Sequence, residues 1–164
     1  MTTWFIVAAV VAVLAAYVSW TAGRLDRLHA RVDASWAALD AQLVRRAAAA
    51  RAVAAHLADP RGGEVLDVAA SAALEGTVDG REMVENDLSR ALKAALPLLV
   101  HDASGDASLA ELQTAATRVG LARSFHNAAV KDTRAVRLRR VPRALRLEGH
   151  RSLPQYFEID DTTV

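Results

Sequence analysis

Residues 24–59 read RLDRLHARVDASWAALDAQLVRRAAAARAVAAHLAD. Within them Leu25, Leu28, Val32, Trp36, Leu39, Leu43, Ala47, Ala50, Ala54 and Leu57 advance by three or four positions. That spacing gathers side chains into one apolar stripe of an α-helix, the pattern of a coiled-coil or bundle seam. Arg27, Asp33, Asp40, Arg45 and Arg46 fall between the stripe positions and are expected on other faces. No Gly or Pro interrupts from Arg24 to Asp59, so a single helix of about 35 residues and roughly 50 Å is expected. The run Asp59-Pro60-Arg61-Gly62-Gly63 should end it.

Upstream, Met1 to Gly23 carries no charged side chain. Trp4 to Ala22 is a stretch of 19 residues broken only by Ser19 and Thr21. At the helical rise it spans about 28 Å, close to the hydrocarbon thickness of a bilayer. Trp4 stands at one end, with Tyr17 and Trp20 at the other, where amphipathic rings favour the headgroup boundary. A cleaved signal peptide needs a basic residue before the apolar run and a shorter run, and this chain has neither. A buried core helix is seldom uncharged for so long. The segment is therefore read as a transmembrane anchor over 1–23. Arg24, Arg27 and Arg31 follow it directly, so the positive-inside bias puts the N-terminus outside and the remainder in the cytoplasm. Only Gly23 separates the anchor from the long helix, and the two can be continuous.

Downstream, Gly76 fits the position just past a helix, and Asp79 with Glu82 fits a capping box. Helices are expected over Glu64–Glu75 and Gly80–Leu96, the second with a stripe of Val84, Leu88, Leu92 and Ala95, and Pro97 at its end. His101–Ala107 reads as a loop. Ser108 and Glu111 form another box and open a last helix, which Pro142 closes. If 76–80 is a hairpin rather than a kink, the bundle has four helices, and four is the expectation. The core is expected to rest on Trp36, Leu39, Leu43, Leu88, Leu92, Leu112 and Phe125.

Composition agrees with an all-α chain. Of 164 residues, 36 are alanine, 5% are aromatic and none is cysteine, which disfavours sheets and excludes disulfides and thiolate chemistry. The net charge of +1 sets up no strong field toward nucleic acid. His29, His56, His101, His126 and His150 form no pair at metal-ligand spacing. Asp26, His29 and Asp33 share a face and are read as solvated charge. Gly62-Gly63 is too short for a phosphate loop, and no Gly-x-Ser-x-Gly elbow occurs. Asp33, Trp36 and Asp40 with Arg45 and Arg46 can be read as a polar constellation inside the bundle. They can also be read as a core tryptophan among capping, paired or water-facing charges, and the second reading is adopted. His126 beside Phe125 is read as a satisfied buried or boundary histidine. No catalytic, cofactor or metal residue is assigned, and the chain is read as a non-enzyme.

Three stretches carry a family resemblance: Arg31 to Arg46 (RVDASWAALDAQLVRR), Glu85 to Leu92 (ENDLSRAL) and Leu121 to Val130 (LARSFHNAAV), followed by Val141-Pro142 and Pro154 to Glu158 (PQYFE). Over nearly its whole length the chain resembles the LemA family of bacterial membrane-anchored helical proteins, as a divergent member. His126-Asn127 stands where that family has Tyr-Asn, Thr133-Arg134 replaces a second Tyr-Asn, Ala116-Thr117-Arg118 replaces Thr-Glu-Asn, and Val141-Pro142 replaces Phe-Pro. The resemblance implies a single-pass anchor in the cell membrane, followed by an antiparallel four-helix bundle over 24–140 and an irregular tail over 141–164. It implies no catalysis, and members are sometimes associated with membrane metalloproteases and envelope stress. The matching positions Asp33, Trp36, Leu39, Asp40, Leu43, Arg46, Leu88, Phe125, Asn127, Pro142, Tyr156 and Phe157 are expected to be structural.

From Lys131 to Arg151 eight cations face only Asp132 and Glu148, a net +6 over 21 residues. Arg137, Arg139, Arg140 and Arg143 are the candidate contacts to an anionic surface. The run contains no aromatic residue to stack on bases, so nucleic acid is the disfavoured ligand. The function expected is therefore a protein-interaction or scaffold module at the inner membrane face. An anionic-lipid or nucleic-acid module using 131–151 is the alternative.

Overall fold

The computed structural model describes residues 1–99, 103–138 and 152–160. Four α-helices occur there: α1 Thr2–Ala54, α2 Pro60–Glu75, α3 Arg81–Ala95 and α4 Ala103–Arg137, with a 3-10 turn Leu96–Leu98 after α3. Among the described residues no strand forms, and one isolated bridge pairs Leu57 with Leu99. The chain is all-helical with a long first helix, as the apolar spacing predicts.

α1 runs for 53 residues without a break at Gly23, so the apolar segment and the striped segment are one helix. Its N-terminal part is long and apolar enough to cross a membrane. Trp4, Phe5, Val11 and Trp20 are all exposed there, and among the described residues none covers that apolar face. At the far end α1 stops at Ala54, where the His56 N–H donates to Val53 O at 2.9 Å.

The helix starts differ from expectation at three places. α1 ends before Asp59-Pro60-Arg61-Gly62-Gly63, five residues short of Asp59, and the run itself opens α2, which was expected to start at Glu64. The Asp59 carboxylate accepts from the N–H groups of Arg61 (3.2 Å) and Gly62 (3.1 Å), and Pro60 occupies the first turn, where a missing N–H costs nothing. Gly63 allows close approach of α1: a Cβ there would stand 2.9 Å from Ala54 O. The Asp79–Glu82 capping box does not form either. Gly80 is the cap of α3, held at φ 96°, a conformation that glycine adopts without the Cβ clash. Finally, α4 begins at Ala103 and not at Ser108, with Gly105 buried inside its first turns. Pro142 lies outside the described residues.

The chain divides into two compact units, the described parts of Met1–Ser35 with Asn127–Tyr156 and of Trp36–His126 with Phe157–Val164. In the first, Val32 packs on Ala129 and Val130. The Thr133 hydroxyl donates to Ala129 O at 2.8 Å. In the second, all four helices supply the core: Ala47, Ala50 and Val53 of α1, Leu66, Ala70 and Ala73 of α2, Leu88 and Leu92 of α3, and Leu112 of α4. α2 and α3 pack on one another across 76–80, so this break separates two helices and is no kink. Alanine is frequent in the α1 and α2 contributions, so the larger side chains Val53, Leu66, Leu88, Leu92 and Leu112 each bury more apolar area than their neighbours. Phe125, expected in the core, is 61% exposed; its place as the large aromatic is taken by Phe157, which is buried.

Candidate functional site

Two polar arrangements stand out in the second unit, and both centre on α3. The first is a buried charge cluster. Arg46, on α1, is 1% exposed. Its Nη2 donates to Glu85 Oε2 at 2.7 Å and to Glu85 O at 3.2 Å. Glu85, on α3, is completely buried. Arg81 is one turn earlier on the same helix, and its Nε approaches Glu85 Oε1 at 3.2 Å while Nη2 approaches Asp40 Oδ1 at 3.2 Å. Those two contacts are close enough to pair charge but are not aligned as hydrogen bonds. Arg81 Nη1 donates to Gly76 O at 2.9 Å, tying α3 back to the end of α2.

Burial pushes the Glu85 carboxyl above its ordinary value. The Arg46 charge and hydrogen bond, and then the Arg81 charge, pull it back without cancelling that rise, and Asp40 adds to it. Arg45 and Arg46 both fall off the apolar stripe, and their charges are expected to cap, pair or face water. Arg45 is exposed as expected, whereas Arg46 is buried. Arg46 is thus buried and paired, while Asp40 stays half-exposed at the rim of the cluster, and the local pattern did not indicate their partners.

The second arrangement holds the C-terminal segment. Residues 152–160 have no regular secondary structure. Phe157 and Ile159 are buried beside Leu39 and Leu43 of α1 and Val119 of α4, with Trp36 and Ala122 packed against them. Trp36 meets Phe157 edge-on, with ring centroids 5.4 Å apart, and meets His126 likewise at 5.5 Å. On the polar side, Glu82 Oε1 accepts the Glu158 N–H at 2.7 Å and Asn86 Oδ1 accepts the Asp160 N–H at 2.9 Å. The Ser89 hydroxyl donates to Asp160 O at 2.7 Å, and Lys93 Nζ donates to Asp160 Oδ2 at 2.6 Å. Glu82, Asn86, Ser89 and Lys93 step by four, three and four, which puts them on one face of α3.

The sequence-derived positions distribute as follows. Leu39, Leu43 and Leu88 are fully buried, and Trp36 and Phe157 join the first two. Asp33 is exposed, and Asn127 is half-buried. Tyr156 is 42% exposed, with the Arg134 guanidinium over its ring at 5.4 Å. Arg137 is 8% exposed and donates to Ser152 O at 2.5 Å. It is therefore turned inward, contrary to its assignment as a surface contact. Arg134 donates to Pro154 O at 3.1 Å. Two cations of the basic run thus hold residues 152–156, and Arg139, Arg140 and Arg143 lie outside the described residues. Asp26 and Asp33 are exposed while His29 is buried, its Nδ1 2.9 Å from Leu25 O, so the three do not assemble as one charged face. Glu85 and Arg81 were missed because each occupies a stripe-compatible position yet carries charge, and only a partner on another helix makes that tolerable. Comparison with protein families, with curated proteins and with solved structures finds no match to this chain.

Proposed function

We propose that the chain is a single-pass membrane protein of the kind the LemA resemblance implies, a non-enzymatic interaction or scaffold module at the inner face of the bacterial cell membrane. The observation that carries this reading is the N-terminal part of α1, apolar and exposed on all sides, in one unbroken helix with the striped segment of the four-helix core. A helix apolar all round is stable only where lipid or protein covers it. Arg24, whose guanidinium lies 5.7 Å from the Trp20 ring centroid, marks the boundary expected of a cytoplasmic exit. The remaining helices then form an antiparallel bundle on that side.

The non-enzymatic part is supported by how the polar groups are used. Arg46, Arg81 and Glu85 pair with one another, and the Ser89 hydroxyl is engaged by Glu85 O and Asp160 O. Side chains committed to internal partners position helices and not substrates. A protein partner, of which a membrane metalloprotease is one candidate, fits this reading better than a lipid or nucleic acid. Arg134 and Arg137 are occupied by the chain's own tail.

Photo-crosslinking in intact cells tests the proposal, with a photoreactive residue placed at exposed positions Val65, Val68 and Leu121. A discrete cross-linked protein in the membrane fraction is expected. Recovery of the chain in the soluble fraction, or cross-links indistinguishable from those of a scrambled bundle, overturns it.

A further inference from the structure

The groove that holds residues 157–160 has the properties of a peptide-recognition site. Its ligand is extended, with alternate side chains inward: Phe157 and Ile159 enter the pocket made by Trp36, Leu39, Leu43 and Val119. Three backbone groups of the segment, Glu158 N–H, Asp160 N–H and Asp160 O, are held by the α3 side chains Glu82, Asn86 and Ser89. These side chains do for an extended chain what a strand edge does in β-augmentation, and main-chain contacts of that kind accept many sequences. Selectivity is left to the two apolar pockets and to Lys93, which pairs with the carboxylate of Asp160. The side chain of Glu158 is exposed and places no demand on the groove.

We propose that this α3 groove recognises an extended segment of a protein partner, with an aromatic residue, any residue, an aliphatic residue and an acidic residue in that order. Residues Phe157–Asp160 fill it in cis as a built-in competitor. The proposal rests on the interaction-module reading and names the partner's chemistry. A tethered competitor acts at an effective concentration of about millimolar, so an outside peptide binds weakly until the tail is displaced or weakened.

The probe is a capped, fluorescein-labelled peptide of the chain's own Tyr156–Asp160 sequence, titrated by anisotropy into the full chain in detergent micelles. Saturable binding to a Phe157→Ala/Ile159→Ala variant is expected, at least about tenfold tighter than to the unaltered chain. The same peptide with alanine at both apolar positions should not bind. Adding Lys93→Glu to the variant should weaken binding about tenfold. If the double variant loses helical signal, the peptide should restore it; failure to restore it makes the segment an inseparable part of the core and overturns the proposal. Equal binding to both proteins, binding of the alanine peptide, or no binding to a folded variant also overturns it. In each of those cases a surviving cross-linked membrane partner leaves the module reading standing, whereas loss of the cross-link with peptide binding intact removes the module reading and, with it, the partner proposed for the groove.

Discussion

Arg46 and Glu85 lie 39 residues apart in the chain and 2.7 Å apart in space, both removed from water. Arg45, the neighbour of Arg46 in sequence, is exposed. One step along a helix turns the side chain by about 100°, and that rotation separates a solvated charge from one held inside. Small alanine faces offer little directional preference, whereas the ion pair between α1 and α3 forms only when the two helices stand in this register.

Arg46→Ala should therefore cost about 3–5 kcal/mol, because it leaves Glu85 buried with only the less well aligned Arg81. Arg45→Ala should stay within about 0.5 kcal/mol. Chemical unfolding of the full chain in detergent, followed by circular dichroism, measures both. Equal costs would show that the pair does not act as described.

The pH response follows from Glu85. Its carboxyl is held above the ordinary value, chiefly by burial, so between the ordinary and the raised value the folded chain binds more of this proton than the unfolded chain does. The stability this group contributes is fully present below the ordinary carboxylate value and lost as pH rises through the raised one. The stability of the native chain minus that of Glu85→Gln should accordingly fall as pH increases across that window. A difference that rises instead means that the two arginines outweigh burial.

Two phenylalanines test the core assignment. Phe157→Ala should destabilise by about 3–5 kcal/mol, and Leu39→Ala in the same cluster by about 2–5 kcal/mol. Phe125→Ala, at an exposed site, should change stability by no more than about 0.5 kcal/mol. Thermal melts of the three variants suffice, and a large loss at Phe125 would place an unseen partner against it.

Gly63 and Gly80 are predicted to fail for different reasons. Alanine at 63 would meet the backbone oxygen of Ala54 at 2.9 Å, forcing α1 and α2 apart at a cost of about 1–3 kcal/mol. Alanine at 80 has open space but must adopt φ 96°, costing about 1 kcal/mol or more. Truncation of the Asp59 side chain relieves neither. Unfolding midpoints of Gly63→Ala, Gly80→Ala and the combination with Asp59→Ala separate the two effects.

Topology is tested by thiol labelling, since the chain has no cysteine of its own. A cysteine placed at Thr2 should react with an impermeant maleimide on intact cells, and one placed at Arg61 should not. The reverse pattern inverts the proposed orientation. A mature chain beginning near Arg24 would make the segment a cleaved signal.

The sequence alone determined the helical class, the apolar run long enough to span a bilayer and the buried stripe from Leu25 to Ala50, because each depends on spacing along one helix. It also placed the break between α2 and α3 at Gly76–Gly80. What required the tertiary structure were matters settled between segments. Asp59 and Pro60 act as a cap because the N–H groups beyond them need an acceptor, and Gly63 is there because α1 passes close by. Arg46, Arg81 and Glu85 are inside because each finds an opposite charge on another helix or one turn away, a condition that periodicity does not encode. Phe157 is in and Phe125 is out because the pocket beside Trp36 is filled by a residue 121 positions further along the chain. A local pattern gives the face of a helix, but the free energy of burying a charge or an aromatic ring is decided by the partner that meets it.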